Sequence, residues 1–411
     1  MRWGLRFGVV AAGIAGGLLA CQVLVGIEDD PGVERFPPLP EAATVDASPD
    51  VDPCPHAGPP PMPESGAASP ETALVFAVRR IRLGGHEDLP TGYDFDGICS
   101  CENRDQRVPG LPATSCKQPG EACVPGRPTD DSEGRDLGGS LALSGAGSLV
   151  RLVETNDVNP RFDDGRLGIL LKVEGFNESD NDRKVTVSLF PSPGIELPAN
   201  GQQERDVDAA CQGLPTDGGA PVWTPDAGPD GAVRDSGVDA AVRDTWFVGG
   251  SGGGATGTEG YVTGGLLVVN GSKAAYEIPI AGRSLRQTKS IFVAKIAKGS
   301  SGRWTLRGNL VGLVSAAGLL NVVGLLPDPL AMTEPKPPLC ANEGLARLIA
   351  PQVCSARDLL ETSEDPTRAC DAVAFAIGIE AEEAALGKPL QCPVPDASVP
   401  PGCVLTCDTP K

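Results

Sequence analysis

Apolar positions along this chain recur mostly with a period of two, which predicts half-buried strands rather than helices. Ala73–Leu83 is the first such segment, with Val78, Ile81 and Leu83 set among Arg80 and Arg82. Leu149–Val153 and Leu167–Val173 follow, and then Val185, Val187 and Leu189 alternate with Thr186 and Ser188. Gly260–Val269, Ala274–Ile280, Ile291–Ile296 and Trp304–Leu310 continue the pattern, so about eight strands separated by turn-rich sequence are expected. Val373, Phe375, Ile377 and Ile379 alternate with Ala and Gly and predict a late strand returning to the sheet.

Three segments break this pattern. Residues 212–244 are rich in Pro, Gly and Asp, and Ala232-Val-Arg-Asp235 recurs as Ala241-Val-Arg-Asp244. One echo is too little for a repeat architecture. Strand texture resumes at Trp246, so this tract is read as a disordered insertion within one domain. Leu310–Leu326 is apolar but short, contains Ser315 and Asn321, and reads as a buried segment rather than a membrane span. Residues 340–368 look helical, with Ser355-Ala-Arg-Asp358 as a capping pattern and Asp365-Pro366 as a second start.

The N-terminus has its own logic. Arg2 and Arg6 precede an apolar run, Phe7–Ala20, whose length suits an export signal. The run ends in Leu18-Leu19-Ala20-Cys21, which resembles the bacterial lipobox, with Cys21 as the lipidated residue. The alternative is an uncleaved helix over Phe7–Ile27, and its many glycines make a poor helix interior. Gln22 after the cysteine implies passage to the outer membrane. Residues 1–20 are therefore read as signal peptide and 21–71 as lipidated Cys and disordered Pro/Ala/Asp tether. A single domain, 72–390, follows, and 391–411 are a Cys/Pro-rich tail.

Composition sharpens the picture in two ways. The net charge of −20 disfavours nucleic acid and anionic surfaces as partners. Of 13 cysteines, Cys21 taken by lipid leaves an even number, as an oxidising compartment favours. The disulfide candidates are Cys54, Cys99, Cys101, Cys116, Cys123, Cys211, Cys340, Cys354, Cys370, Cys392, Cys403 and Cys407. The cluster Cys99, Cys101, Cys116 and Cys123 also has zinc-site composition, but disulfides are the better reading outside the cytoplasm. Cys99 and Cys101 are too close in sequence to pair easily with each other.

Candidate chemistry is sparse. Asp94 and Asp96, in Gly92-Tyr-Asp-Phe-Asp-Gly97, open like a calcium loop, but the full spacing and closing Glu are missing. Asn156-Asp157, Asp163-Asp164 and Asn177 to Asp182 form a second acidic group. Calcium at Asp94, Asp96, Asp163 and Asp164 is the one cofactor considered, against the stronger reading of polar turns. Gly249–Gly253 and Gly252–Gly257 match nucleophile-elbow and dinucleotide patterns only as polyglycine, with no helix following. His56 lies in the tether, so a Ser-His-Asp triad would rest on His86 alone, and no activated serine accompanies it. No catalytic residue is assigned.

Val75–Leu83, Gly92-Tyr-Asp-Phe-Asp-Gly97 with its Cys-rich loop, Val185–Gly194, Gly302-Arg-Trp304 and Cys370-Asp-Ala-Val-Ala-Phe-Ala-Ile-Gly-Ile-Glu380 together resemble a group of uncharacterised lipoproteins from large-genome myxobacteria. The match runs thinly over 72–390. It implies a secreted β-rich domain and brings no activity with it.

The expectation is a mainly β protein, an antiparallel β-sandwich of jelly-roll or lectin-like type with a small disulfide-stapled helical insertion. It is expected in the bacterial cell envelope, lipid-anchored in the outer membrane and facing the periplasm or the cell surface. The membrane is met through the lipid alone, and an extracellular ligand or protein is the expected partner. The leading function is non-enzymatic ligand binding or surface interaction; the alternatives are a carboxylate-dependent, glycosidase-like hydrolase and an envelope structural component.

Overall fold

The structure is a computed structural model. It describes residues 58–66, most of 72–95, 152–197, 244–249, 257–271, most of 275–390, and four residues of 403–407. These residues fall in one compact unit. The signal run, Cys21, the cluster Cys99 to Cys123, Asp94, Asp96, Cys392 and nearly all of the 212–244 tract lie outside the described residues.

The described residues form twelve strands. They are β1 (Thr72–Leu83), β2 (Gly168–Phe176), β3 (Asp182–Ser192), β4 (Ile195–Leu197), β5 (Thr245–Gly249), β6 (Thr258–Thr263), β7 (Leu266–Gly271), β8 (Tyr276–Ile280), β9 (Arg283–Lys298), β10 (Trp304–Ser315), β11 (Ala372–Glu383) and β12 (Ala385–Leu390). The helices are α1 (Asn159–Asp163), entered through a π turn at Glu154–Val158, α2 (Ala316–Leu325) and α3 (Glu343–Ser355).

Eight strands form a closed ring. Around it run β1, β2, β3, β6, β7, β9, β10 and β11, each antiparallel to the next, and β11 returns to pair with β1. This is an up-and-down barrel, not the expected sandwich. Period-two alternation says only that one face is buried; it does not say whether that face meets a second sheet or the far side of its own. Closure depends on β9. Its 16 residues pair with β8 at one end and with both β7 and β10 at the other. The change of partner falls at Lys289, whose φ of 48° marks an irregularity in the strand.

The lumen is filled. Phe76, Val78 and Ile81 of β1 meet Leu171 and Val173 of β2, Leu267 and Val269 of β7, Leu306 and Leu310 of β10, and Phe375, Ile377 and Ile379 of β11 in one apolar cluster. Outside, the strands carry Lys172, Glu174, Glu259, Lys295, Arg307, Glu380 and Glu382. A packed apolar lumen is the reverse of the polar interior of a membrane-spanning barrel. Among the described residues no helix is long and apolar enough to cross a membrane.

The two ends are closed differently. At one, short hairpins join β2 to β3, β6 to β7 and β9 to β10, and Phe176 packs edge-on against Trp304 with ring centroids 5.4 Å apart. At the other, the β8–β9 hairpin and helices α2 and α3 contribute Tyr276, Ile278, Leu320, Ile349 and Val353 to the same core. Cys340–Cys403 and Cys354–Cys407 fasten the tail onto this helical cap, with Cα atoms 5.2 and 5.4 Å apart. Cys370 is disulfide-bonded as well.

Several local expectations are corrected. Leu152 and Val153 are helical, not a strand, because Val153, Val158 and Phe162 bury one side of the π turn and α1. Gly260–Val269 is two strands, since Gly264 and Gly265 take φ of 57° and 78° and make a tight hairpin between them. Leu310–Leu326 is the end of β10 followed by α2, whose N-cap Ser315 accepts a hydrogen bond from Gly318 N. Helix α3 starts earlier than the expected cap at Ser355: Asn342 caps it, accepting from Leu345 N, and Ser355 is its last residue. The tether is not wholly free, because its residues 58–66 lie against the barrel.

Candidate functional site

The outer wall of the barrel is clad by three separate pieces, and its polar chemistry lies beneath two of them. The first cladding is a small sheet in the order β12, β5, β4. Trp246 and Ile195 pack there on Ala77, Leu170 and Phe190 of the barrel. Gly168 makes this approach possible, since a Cβ there would stand 2.6 Å from the Trp246 ring.

Beneath this sheet lies Arg79. Val78 pairs with Ala381 and Arg80 with Glu380, so Arg79 is the extra residue of a bulge in β1. The bulge interrupts the alternation of β1. The Arg79 guanidinium sits 5.0 Å from the centre of the Trp246 ring. It donates to Glu382 Oε1 at 2.6 Å and pairs with the Asp244 carboxylate. Burial would pull its pKa down, but Glu382 and Asp244 outweigh that and hold the cation charged.

The second cladding is the chain after β1. Gly84 and Gly85, at φ of 95° and 80°, reverse it over β11 and β10. His86 is buried against Gly378, where a Cβ would stand 2.9 Å from the imidazole. Asn309, fully buried, holds both sides of this turn. It accepts from His86 N at 2.7 Å and donates to His86 O and Leu89 O at 3.0 and 3.2 Å.

Arg307 completes the arrangement. It pairs with Asp88, and its Nε stands 3.6 Å from Glu380. Its Nη2 is 3.2 Å from His86 Nδ1. A guanidinium has only donors, so Nδ1 accepts and the imidazole proton sits on Nε2. Burial first, and then the Arg307 cation, lower the His86 pKa to about 4. The ring is therefore neutral and pinned, an arrangement suited to fastening a loop rather than relaying protons.

Farther along the same loop, Tyr93 and Phe95 lie on the outer faces of Val268, Ile291, Val293, Val311 and Ala376. Burial, and then Tyr261 close by, push the Tyr93 phenol well up. The Gly-Tyr-Asp-Phe-Asp-Gly motif thus supplies an aromatic latch through its two rings.

Asp94 and Asp96 of the calcium expectation lie outside the described residues, and the two acidic groups that are described do not converge. Asp163 and Asp164 precede β2, while Asn177 to Asp182 follow it, so nine strand residues, about 26–30 Å, separate them. Asp182 is used within its own turn, accepting from Asn177 N and Lys184 N. Asp164 pairs with Arg166 at 2.6 Å and Asp157 with Lys336 at 3.0 Å. Among the described residues no cluster of three or more His, Cys, Asp or Glu could hold a metal.

Asp163 is a perturbed carboxyl of this wall. Burial pushes it up to about 6, against the opposing pull of Arg80 and Arg79.

Sequence reading singled out His86, Asp163 and Asp164 but missed Arg79, Arg307, Asn309, Glu380 and Glu382. A signal for them existed. Outward positions of β11 read Ala, Ala, Ala, Gly, Glu, Glu from Ala372 to Glu382. Small residues there mark where another segment lies flat on the wall.

Fold and site together define a class: a closed up-and-down barrel with a packed lumen and a clad exterior. No family model matches the chain, and no curated protein or solved structure matches it either.

Proposed function

We propose that this chain is an envelope lipoprotein, exported, anchored through Cys21 and displaying the barrel as a rigid interaction module outside the cytoplasm. The observation that carries the reading is Leu18-Leu19-Ala20-Cys21 at the end of the Phe7–Ala20 apolar run. Disulfides Cys340–Cys403 and Cys354–Cys407 suit an oxidising compartment. The charged outer wall suits a domain held in water beside a membrane. A lumen already occupied by Phe76, Leu171, Leu267 and Ile377 favours recognition by the exterior over enclosure of a small ligand. The resemblance to secreted myxobacterial lipoproteins points the same way.

Expression in a Gram-negative host with labelled palmitate tests the anchor. Label should enter the wild-type chain and be lost from Cys21→Ser, which should also leave the membrane fraction. Retention of Cys21→Ser in membranes through an intact N-terminal run would overturn the reading.

A hydrolase reading has one observation in its favour, the Asp163 carboxyl raised to about 6, in the range of a general acid. A panel of chromogenic glycosides, with Asp163→Asn as control, decides it. Turnover that vanishes in the variant would replace the interaction reading.

A further inference from the structure

The third cladding has no assigned role. Residues 58–66, Gly-Pro-Pro-Pro-Met-Pro-Glu-Ser-Gly, lie along the barrel. The Tyr261 hydroxyl on β6 donates to the Pro60 carbonyl. At the other end, Gly66 approaches β3 so closely that a Cβ would stand 3.2 Å from Arg183 N. Along this segment Pro59, Pro60 and Pro63 are half-buried while Pro61 and Met62 face solvent, so Pro60 and Pro63 repeat at a spacing of three.

Each feature has a physical reason. Proline fixes φ near −65° and cannot donate a backbone hydrogen bond. A run of prolines therefore favours an extended left-handed helix with three residues per turn and its carbonyls free to accept. Residues i and i+3 of such a helix share a face, as Pro60 and Pro63 do here. The complementary surface is an aromatic wall with a hydroxyl donor, because the pyrrolidine rings stack on rings and the carbonyl meets the donor. Tyr261 supplies ring and donor together and packs into the same outer cluster as Tyr93 and Phe95. Little order is lost on docking, since the segment is already stiff.

We infer that the Tyr261 face is a binding site for proline-rich segments, occupied in cis by the chain's own Pro59–Pro63. The site closes on its own tether and opens to an equivalent segment of another chain only when the cis segment leaves. In the anchored protein proposed above, docking moves the point where the tether meets the barrel from residue 72 back to residue 58. That consequence rests on the anchoring reading; the binding site does not.

The test uses the full chain and the synthetic peptide Gly-Pro-Pro-Pro-Met-Pro-Glu-Ser-Gly. Pro60→Ser with Pro63→Ser weakens the cis segment and leaves the barrel untouched. Titration should show the peptide binding this double variant at least tenfold more tightly than wild type, where the tethered copy competes. Adding Tyr261→Ala should abolish the binding. Tyr261→Phe, which removes only the hydroxyl, should weaken it several-fold at an unchanged Tm. A double variant that melts like wild type yet does not bind the peptide overturns the inference. So does binding indifferent to both Tyr261 substitutions. Neither outcome depends on lipidation, so failure here is distinct from failure of the palmitate experiment.

Discussion

Arg79 on β1 and Arg307 on β10 reach the same strand, β11, from its two sides, and the surroundings give them different physical roles. The Arg79 side chain is 4% exposed, and its partners Asp244 and Glu382 are 8% and 24% exposed. Arg307 is 42% exposed and pairs with Asp88 at 41%. In the first case charge is enclosed under an apolar lid made by Trp246, so removing either sign strands the other in low dielectric. In the second, water screens the pair and its Coulomb term contributes little. The same residue types hold the small sheet as a committed part of the core and the 84–95 loop as a surface fastening.

The sharpest way to break this contrast is truncation on both sides. Arg79→Ala should cost about 3–5 kcal/mol, because buried Asp244 and half-buried Glu382 would lose the Arg79 cation. Arg307→Ala should cost no more than about 1 kcal/mol as an exposed pair. Urea midpoints of the two variants check the ordering, and equal losses would mean that the two claddings are energetically alike.

Acid should act on the loop side. The folded His86 pKa of about 4 lies below its ordinary 6.5, so the unfolded chain takes up the proton first. The stability this residue contributes is present above pH 6.5 and lost as pH falls towards 4, up to about 3 kcal/mol in all. Asp163 works in the opposite sense. Raised from 3.8 to about 6, it gains stability as pH falls through 6, but it is half-exposed and its share is the smaller. Chemical denaturation between pH 7 and 4 should therefore show a loss that His86→Gln removes and Asp163→Asn deepens. A wild-type profile unchanged by His86→Gln would sink this account.

Asn309→Ala should come next, at about 1–3 kcal/mol, since its side chain makes three hydrogen bonds to the backbone at His86 and Leu89. Hydrogen exchange separates local from global loss. The amides of His86 and Leu89 should lose protection while those of β2 and β3 keep theirs. Uniform loss across β2 and β3 would place Asn309 in the core rather than in the fastening.

The smallest effect is expected from deleting residues 214–243. Ile195 pairs with Trp246 and Leu197 with Thr245, so the connection starts and ends at adjacent strands. Cutting the connection to about a third of its length changes closure entropy by about 1 kcal/mol. A Tm shift beyond a few degrees would mean that this segment helps hold the small sheet on Arg79.

Much of the fold was legible because alternation is local. Val185, Val187 and Leu189, or Val373 to Ile379, need only a period of two to declare a strand with one buried face. The Gly264–Gly265 hairpin was legible too in principle, through two adjacent glycines. Other features had no local signal. Nothing near β9 says that it will bridge β7 and β10 and so close a barrel where a sandwich was expected. Arg79 gains its importance from Asp244 and Glu382, 165 and 303 residues away. His86 looked like a lone candidate for catalysis because Arg307 and Asn309, which neutralise and pin it, are more than 200 residues distant.

By itself, then, the sequence determined the period of most barrel strands, the net negative charge and the number of cysteines, and it supplied the N-terminal pattern from which export is proposed. These are properties of neighbouring residues, set by side-chain polarity over a few positions. Only the tertiary structure decided which strand closes the ring, which charges are enclosed and which are screened, and that a proline-rich stretch lies along Tyr261. Each of those depends on segments far apart in sequence excluding water from the same spot, and polarity read one residue after another does not record who the neighbour across that spot will be.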